Sequence, residues 1–112
     1  MAIQTANVSN SATTVYTSTN NTAITYLALT NATAAAVNVD IHIVPSGDSV
    51  GNINLVAKTL DIAATDTYQL YSGGEKLLLE NGDTVQVTAN VASGVNSVTS
   101  FTSISYGNWS FA

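Results

Sequence analysis

The sequence predicts an all-β protein: an antiparallel β-sandwich of about seven or eight strands, of the jelly-roll or immunoglobulin-like type. Three observations favour this fold. Apolar and polar residues alternate along several short segments, turn residues separate these segments roughly every 8–12 residues, and no stretch has the spacing of an amphipathic helix. The chain has 112 residues, of which 46% are hydrophobic. One core fits this length, so we expect a single domain over residues 1–112.

Apolar and polar residues alternate most strictly in two segments, 37–43 and 84–91. Both are predicted to be strands with one solvent-exposed face. Their apolar side chains should face the core, and their polar side chains should face the solvent. The predicted core residues are Val37, Val39, Ile41, Ile43, Val85, Val87, Ala89 and Val91. The predicted outward residues are Asn38, Asp40, His42, Thr84, Gln86, Thr88 and Asn90.

The remaining strands have weaker alternation and are rich in Thr and Val, residues that suit a pleated surface. They are predicted at 12–17, 23–30, 55–62, 67–71, 76–80 and 98–106. One more segment, 3–8, is predicted to form either an edge strand or an extended arm within the N-terminal residues 1–10.

Turn residues lie between the predicted strands. The strongest signal is Asn81-Gly82, which is typical of a type I′ hairpin and predicts that 77–80 pairs with 84–91. The other predicted turns are 19–21, 45–48, 72–74 and 93–94.

The composition argues against several classes of partner. Seven acidic residues and two lysines give a net charge of -5, and there is no cysteine. A negative chain is unsuited to nucleic acid or to an anionic membrane surface. Without cysteine, a disulfide framework, a thiolate metal site and a cysteine nucleophile are excluded. The N-terminus has neither the basic nor the apolar region of a signal peptide, so we expect synthesis in a cytoplasm without export.

His42 is the only histidine, and Asp40 precedes it by two residues. A catalytic interpretation would combine these two residues with Ser46 or Ser49. Side chains two residues apart on one strand point in parallel rather than converging, and no nucleophile-elbow motif is present. We therefore expect an exposed, solvated His42, no enzymatic activity and no cofactor.

The loop 46–54 is the best candidate for a metal site, because it contains Asp48, Asn52 and Asn54. Calcium binds six to eight oxygen ligands, and this spacing lacks the carboxylates of a dedicated site. A plain solvated loop is favoured, and a weak calcium site stays open as the alternative.

The C-terminal tail, 107–112, concentrates the largest apolar side chains, and Tyr106 precedes it. The single Trp, Trp109, and one of two Phe, Phe111, lie in the last four residues. Such a tail usually frays unless it docks. Tyr106, Trp109 and Phe111 are therefore predicted to contact either the chain's own sheet or a neighbouring subunit, with a carbohydrate-stacking surface as a third alternative.

The sequence also resembles a known group of proteins. The runs VYT at 15–17, TAI at 22–24, LALTN at 27–31 and LLENGDTVQVTA at 78–89 are similar to segments of small β-sandwich virion proteins of tailed bacteriophages. The resemblance covers roughly residues 15–105, and its motifs are strands and a turn. The sequence departs from the pattern at 18–21, where a Pro-Gly turn is common in such proteins, and in the aromatic tail.

The resemblance implies a structural part of a virion that is present in many copies. The resulting expectation is a non-enzymatic capsid decoration (cement) protein, with a neck or tail accessory protein as the alternative. Its partners would be the major capsid protein or neck and tail proteins, together with sister copies in a homo-oligomer, and its location the virion. The alternative from another class is a carbohydrate-binding or adhesion module that uses tyrosines or Trp109.

Overall fold

Two antiparallel sheets pack face to face in the computed structural model, which describes residues 2–69 and 77–103. The predicted all-β sandwich is confirmed, with nine strands in the described residues rather than seven or eight. The strands are β1 (Ala2–Val8), β2 (Thr13–Thr17), β3 (Thr22–Asn31), β4 (Val37–Val44), β5 (Leu55–Ile62), β6 (Thr67–Gln69), β7 (Leu77–Leu79), β8 (Thr84–Ala89) and β9 (Val95–Ser103). A short 3-10 turn, Asn52–Asn54, precedes β5.

The strand pairing is nested. Sheet A has the order β1-β9-β3-β6, with β7 also pairing with β3, and sheet B has the order β2-β8-β4-β5. β6 and β7 pair with opposite ends of β3, so they fill one position in the sheet. The first strand therefore pairs with the last, the second with the next to last, and so on inward to β4 and β5. This arrangement is a jelly roll rather than an immunoglobulin-like sandwich.

The core lies between the sheets and consists of inward-facing aliphatic residues of both. Six of the eight predicted core residues are buried: Val37, Val39, Ile41, Val85, Val87 and Ala89. Ile43 and Val91 are only partly buried and pack against the cluster from its margin. Val91 follows the end of β8 at Ala89, so strand alternation no longer directs its side chain into the core.

The predicted hairpin at Asn81-Gly82 is wrong, because β7 belongs to sheet A and β8 to sheet B. The segment instead crosses between the sheets. It is a tight turn in which the backbone N–H of Asp83 donates to the carbonyl of Glu80 at 3.1 Å. Within this turn, only Gly82 has a positive φ, of 89°. A type I′ turn needs two such residues and a type II turn needs one, so this turn fits type II.

Other strand boundaries differ from the prediction by a few residues. β5 has the predicted bounds, and β9 begins at Val95, three residues before the predicted start. The segment 3–8 is an edge strand, since β1 pairs with β9 along its whole length. The predicted strand ends at 70–71, 76 and 104–106 and the turn 72–74 lie outside the described residues.

A buried asparagine closes one end of the sandwich. Asn31, the last residue of β3, is fully buried. Its side-chain Nδ2 donates to the carbonyls of Ala35, Ile62 and Ala63 at 2.8, 3.0 and 3.2 Å. Its Oδ1 accepts from the backbone N–H and the hydroxyl of Thr33 at 2.9 and 2.7 Å. One side chain thus joins the end of β3 to the loop that follows it and to the end of β5.

Candidate functional site

His42 is buried, and the prediction of an exposed histidine is wrong. Its side chain is 7% exposed, although its position in β4 directs it to the outer face of sheet B. The 3-10 turn Asn52–Asn54 contacts β4, and Leu55 lies opposite His42 in the neighbouring strand. Alternation gives the direction of a side chain but does not reveal that a distant loop lies near that face.

Asp40 does not orient His42. Its Oδ1 accepts a hydrogen bond of 2.7 Å from the backbone N–H of Thr59, and its Oδ2 lies 4.0 Å from the Nζ of Lys58. Thr59 has a positive φ of 51°, at the irregularity where β5 shifts register against β4. The carboxylate therefore stabilises a strained position in the neighbouring strand.

The candidate catalytic set is not assembled in the described part of the chain. No hydrogen bond there joins His42 to Asp40, Ser46 or Ser49, and the His42 Nδ1 has no partner. Ser46 instead donates its backbone N–H to Asp83 at 2.9 Å.

Truncation of His42 to alanine is expected to destabilise the domain by about 1–3 kcal/mol, because it removes a buried side chain and leaves a cavity. His42→Leu should be neutral or stabilising, since it fills the space without burying the unpartnered Nδ1. Urea unfolding of the two variants and the parent protein measures both effects. A His42→Ala variant as stable as the parent would mean that the side chain is solvated after all.

The Asn54 side chain uses both of its polar atoms within the loop 46–54. The Oδ1 of Asn54 accepts from the backbone N–H of Gly51 at 3.1 Å, and its Nδ2 donates to the carbonyl of Ser49 at 3.0 Å. Asp48 is exposed. Within residues 2–69 and 77–103, no group of three or more histidine or acidic side chains could hold a metal ion.

Asp83 joins the turn 80–83 to the start of the loop 46–54. Its Oδ1 accepts from the N–H of Ser46, and its Oδ2 accepts from the N–H of Glu80 at 2.9 Å. Gly82 has a positive φ of 89°, which favours glycine, and a Cβ there would also lie 2.5 Å from the Oγ of Ser46. Hydrogen bonds to the Asp83 carboxylate therefore hold the two loops together.

A cleft of about 210 Å³ lies on the outer face of sheet B, and we name it the polar cleft because five of its six lining residues are of polar type. It is lined by Asn38, Asp40, Thr59, Thr88, Ala89 and Asn90. The register of β4 and β8 sets Asp40 directly opposite Thr88, and the register shift of β5 places Thr59 beside them. This cleft was not predicted from the sequence, which gave the outward direction of the polar residues on each strand but not the pairing of β4 with β8.

The outer face of sheet A, which we name the uncharged face, has no charged side chain among its described residues. The cross-strand register with the exposed positions of β1 assigns its members, of which Ala23 and Ala28 are themselves buried. They are Ile3, Thr5, Asn7, Ala23, Tyr26, Ala28, Thr30, Thr67, Gln69, Leu78, Asn96, Val98, Ser100 and Thr102. Ile3 and Leu78 are 67% and 51% exposed.

The described charged side chains lie elsewhere, on sheet B and in the turns. They are Asp40, Asp48, Lys58, Asp61, Asp66, Glu80 and Asp83. The described charged side chains are thus absent from the uncharged face of sheet A.

Tyr106, Trp109 and Phe111, the predicted interface residues, lie outside the described residues. Among the described residues there is no helix with the length and apolar character needed to cross a membrane. No protein-family model matches the chain, and comparisons with curated proteins and with solved structures found no match.

Proposed function

We propose that the chain is a non-enzymatic structural protein of a bacteriophage virion, a decoration protein that binds the assembled capsid. The uncharged face is the observation that carries this proposal. A broad surface of small polar and apolar side chains can be buried against another protein without removing charged groups from water, which would be costly. The aromatic residues Tyr106, Trp109 and Phe111 are proposed to add contacts with capsid or sister subunits.

Two further features support the proposal. The sequence resembles small virion β-sandwich proteins over most of its length, and the jelly roll is an architecture of viral capsid domains. The same architecture also occurs in lectins, so the argument for a protein partner depends on the surface chemistry rather than on the fold.

The proposed mechanism is mass action. A folded module that binds the assembled lattice, and not its separated parts, stabilises the lattice by RT ln(1 + [L]/Kd) at each site. At a free concentration of 100 times Kd this amounts to about 2.7 kcal/mol per site. Repetition over many sites makes a modest affinity sufficient for a stable particle.

A neck or tail accessory protein would use the same surface at fewer sites. A carbohydrate-binding module is the candidate from another class, and the polar cleft favours it. The Asp40 carboxylate, the Asn38 amide and the Thr88 hydroxyl line this cleft and could hydrogen-bond to sugar hydroxyl groups.

The test uses phage particles produced with and without the gene for this chain. We expect the chain to co-purify with complete particles, and the deletion particles to lose their DNA at a lower temperature. Adding the purified chain should restore stability with a saturable stoichiometry. Leu78→Asp should prevent this rebinding, because it places a charge on the uncharged face.

The matched control is Ile53→Asp, which alters another exposed apolar residue outside that face, 94% exposed. It should rebind like the parent. Absence of the chain from purified particles would overturn the proposal. A copy number fitting a single ring would favour the neck or tail, and binding to glycans without binding to particles would favour the carbohydrate-binding alternative.

A further inference from the structure

The four edges of the two sheets differ in how they are protected against pairing with another chain. Natural edge strands avoid such pairing by being short, by carrying charges, or by irregularities that twist them away. β5 has Lys58 and Asp61 and shifts register twice against β4. β2 has five residues and one register shift, and β6 and β7 have three described residues each.

β1 has none of these protections. It has seven residues without charge or proline, and it pairs with β9 through seven consecutive positions without a shift. Alternate backbone N–H and C=O groups on its other side point away from β9, as in any antiparallel edge strand. Ile3, Thr5 and Asn7 are exposed along it. The edge is regular, and its outward groups can hydrogen-bond to an extended strand.

The distribution of charge favours a second copy of this chain as the occupant. Two molecules of net charge -5 repel each other, so they associate most readily where neither carries charge. Asp61 in β5 and Asp66 just before β6 lie at the edge of the sandwich opposite to β1. The β1 side is therefore the side on which two copies meet with the least electrostatic repulsion.

A strand edge is also complementary to itself. When it is rotated by a two-fold axis, the same strand presents its outward N–H and C=O groups, which pair with no described strand, in antiparallel orientation, and this gives an isologous interface. An axis beside Thr5 sets Thr5 opposite Thr5 of the second copy, Ile3 opposite Asn7 and Gln4 opposite Ala6. Threonine pairs across strands are favourable, and no like charges face each other.

We propose that two copies of this chain pair through β1, antiparallel about Thr5, so that sheet A continues from one copy into the other. The pairing joins the two uncharged faces into one surface of twice the width. This inference goes beyond the virion proposal and does not depend on it, because it concerns the isolated chain in solution.

The test introduces charge at the centre of the pairing. Analytical ultracentrifugation from about 1 µM to about 1 mM should show that the parent protein forms a dimer. Thr5→Lys and Thr5→Glu should each raise the dissociation constant tenfold or more, because like charges then face each other across the axis. An equimolar mixture of the two variants should restore a dimer, in which lysine faces glutamate.

The matched control is Val56→Lys, which places the same charge on the opposite edge strand, β5, at a residue that is 48% exposed. It should dimerise like the parent. Circular dichroism and thermal unfolding establish that every variant is folded. Hydrogen exchange should protect amides of residues 3–7 as the parent concentration rises.

Four results would overturn the proposed pairing. A parent protein that is monomeric throughout the concentration range excludes the pairing. Loss of the dimer in Val56→Lys but not in Thr5→Lys would locate the interface elsewhere, as would concentration-dependent protection outside β1. A mixture of Thr5→Lys and Thr5→Glu that stays monomeric would exclude the two-fold axis beside Thr5. Dimerisation without particle binding would refute the virion function while leaving this inference intact.

Discussion

Replacing Asn31 with leucine is expected to destabilise the domain by about 3–5 kcal/mol, because several buried polar groups lose their partners at once. The amide of Asn31 satisfies the carbonyls of Ala35, Ile62 and Ala63, and its Oδ1 accepts two hydrogen bonds from Thr33. Leucine has a similar size but cannot form any of these bonds. Urea unfolding of the variant and the parent measures the difference, which in a marginally stable domain is large enough to abolish folding.

Two variants separate this effect from simple packing. Asn31→Asp retains an acceptor for Thr33 but directs a carboxylate at three carbonyl oxygens, so it should be at least as destabilising as the leucine variant. Thr33→Val removes only the hydroxyl bonds of a half-buried residue and should cost about 1 kcal/mol. A leucine variant within 1 kcal/mol of the parent would contradict the role assigned to Asn31.

The second large effect is expected at the centre of sheet B. Val87→Asp should abolish folding, because Val87 is fully buried opposite Ile41 and an aspartate there places an unpaired charge in the core. Circular dichroism and the dispersion of amide signals in an NMR spectrum report the loss of the fold.

Thr14→Asp is the control for Val87→Asp, since Thr14 lies exposed on the adjacent strand β2. It should change the free energy of unfolding by no more than about 0.5 kcal/mol. A folded Val87→Asp protein with unchanged stability would show that the inward register of β8 is wrong.

The sequence was sufficient to predict the strands of the sandwich and most of the core. Val37, Val39, Ile41, Val85 and Val87 are buried as the alternation of their strands requires. This prediction works because the two faces of a strand differ in polarity whenever one face is solvated.

The pairing of the strands could not be predicted from the sequence as well as their positions. Asn81-Gly82 has the residues of a hairpin turn, yet the flanking strands belong to different sheets. The turn preference is local, whereas the choice of partner depends on which sheet completes the core. The same limit explains the error at His42. The outward direction of its side chain was predicted correctly, but the residue is buried rather than exposed.

The polar cleft and the uncharged face were missed for a related reason. Each consists of residues from strands that are distant in sequence and adjacent only in a sheet, such as Asp40 with Thr88 or Ile3 with Ser100. A search for motifs along the chain finds ligand-rich loops, but here the loop residues Asp83 and Asn54 are occupied in turns.

The nested strand pairing has a kinetic consequence. β4 and β5 are neighbours along the chain, whereas β1 and β9 are joined by contacts such as the hydrogen bond between Asn7 and Asn96, 89 residues apart. Closing longer loops costs more entropy, and chains dominated by distant contacts fold slowly, in milliseconds to seconds. We therefore expect the β4–β5 pair to form early and β1 to join last. Until β9 is in place, β1 has no partner strand among the described residues.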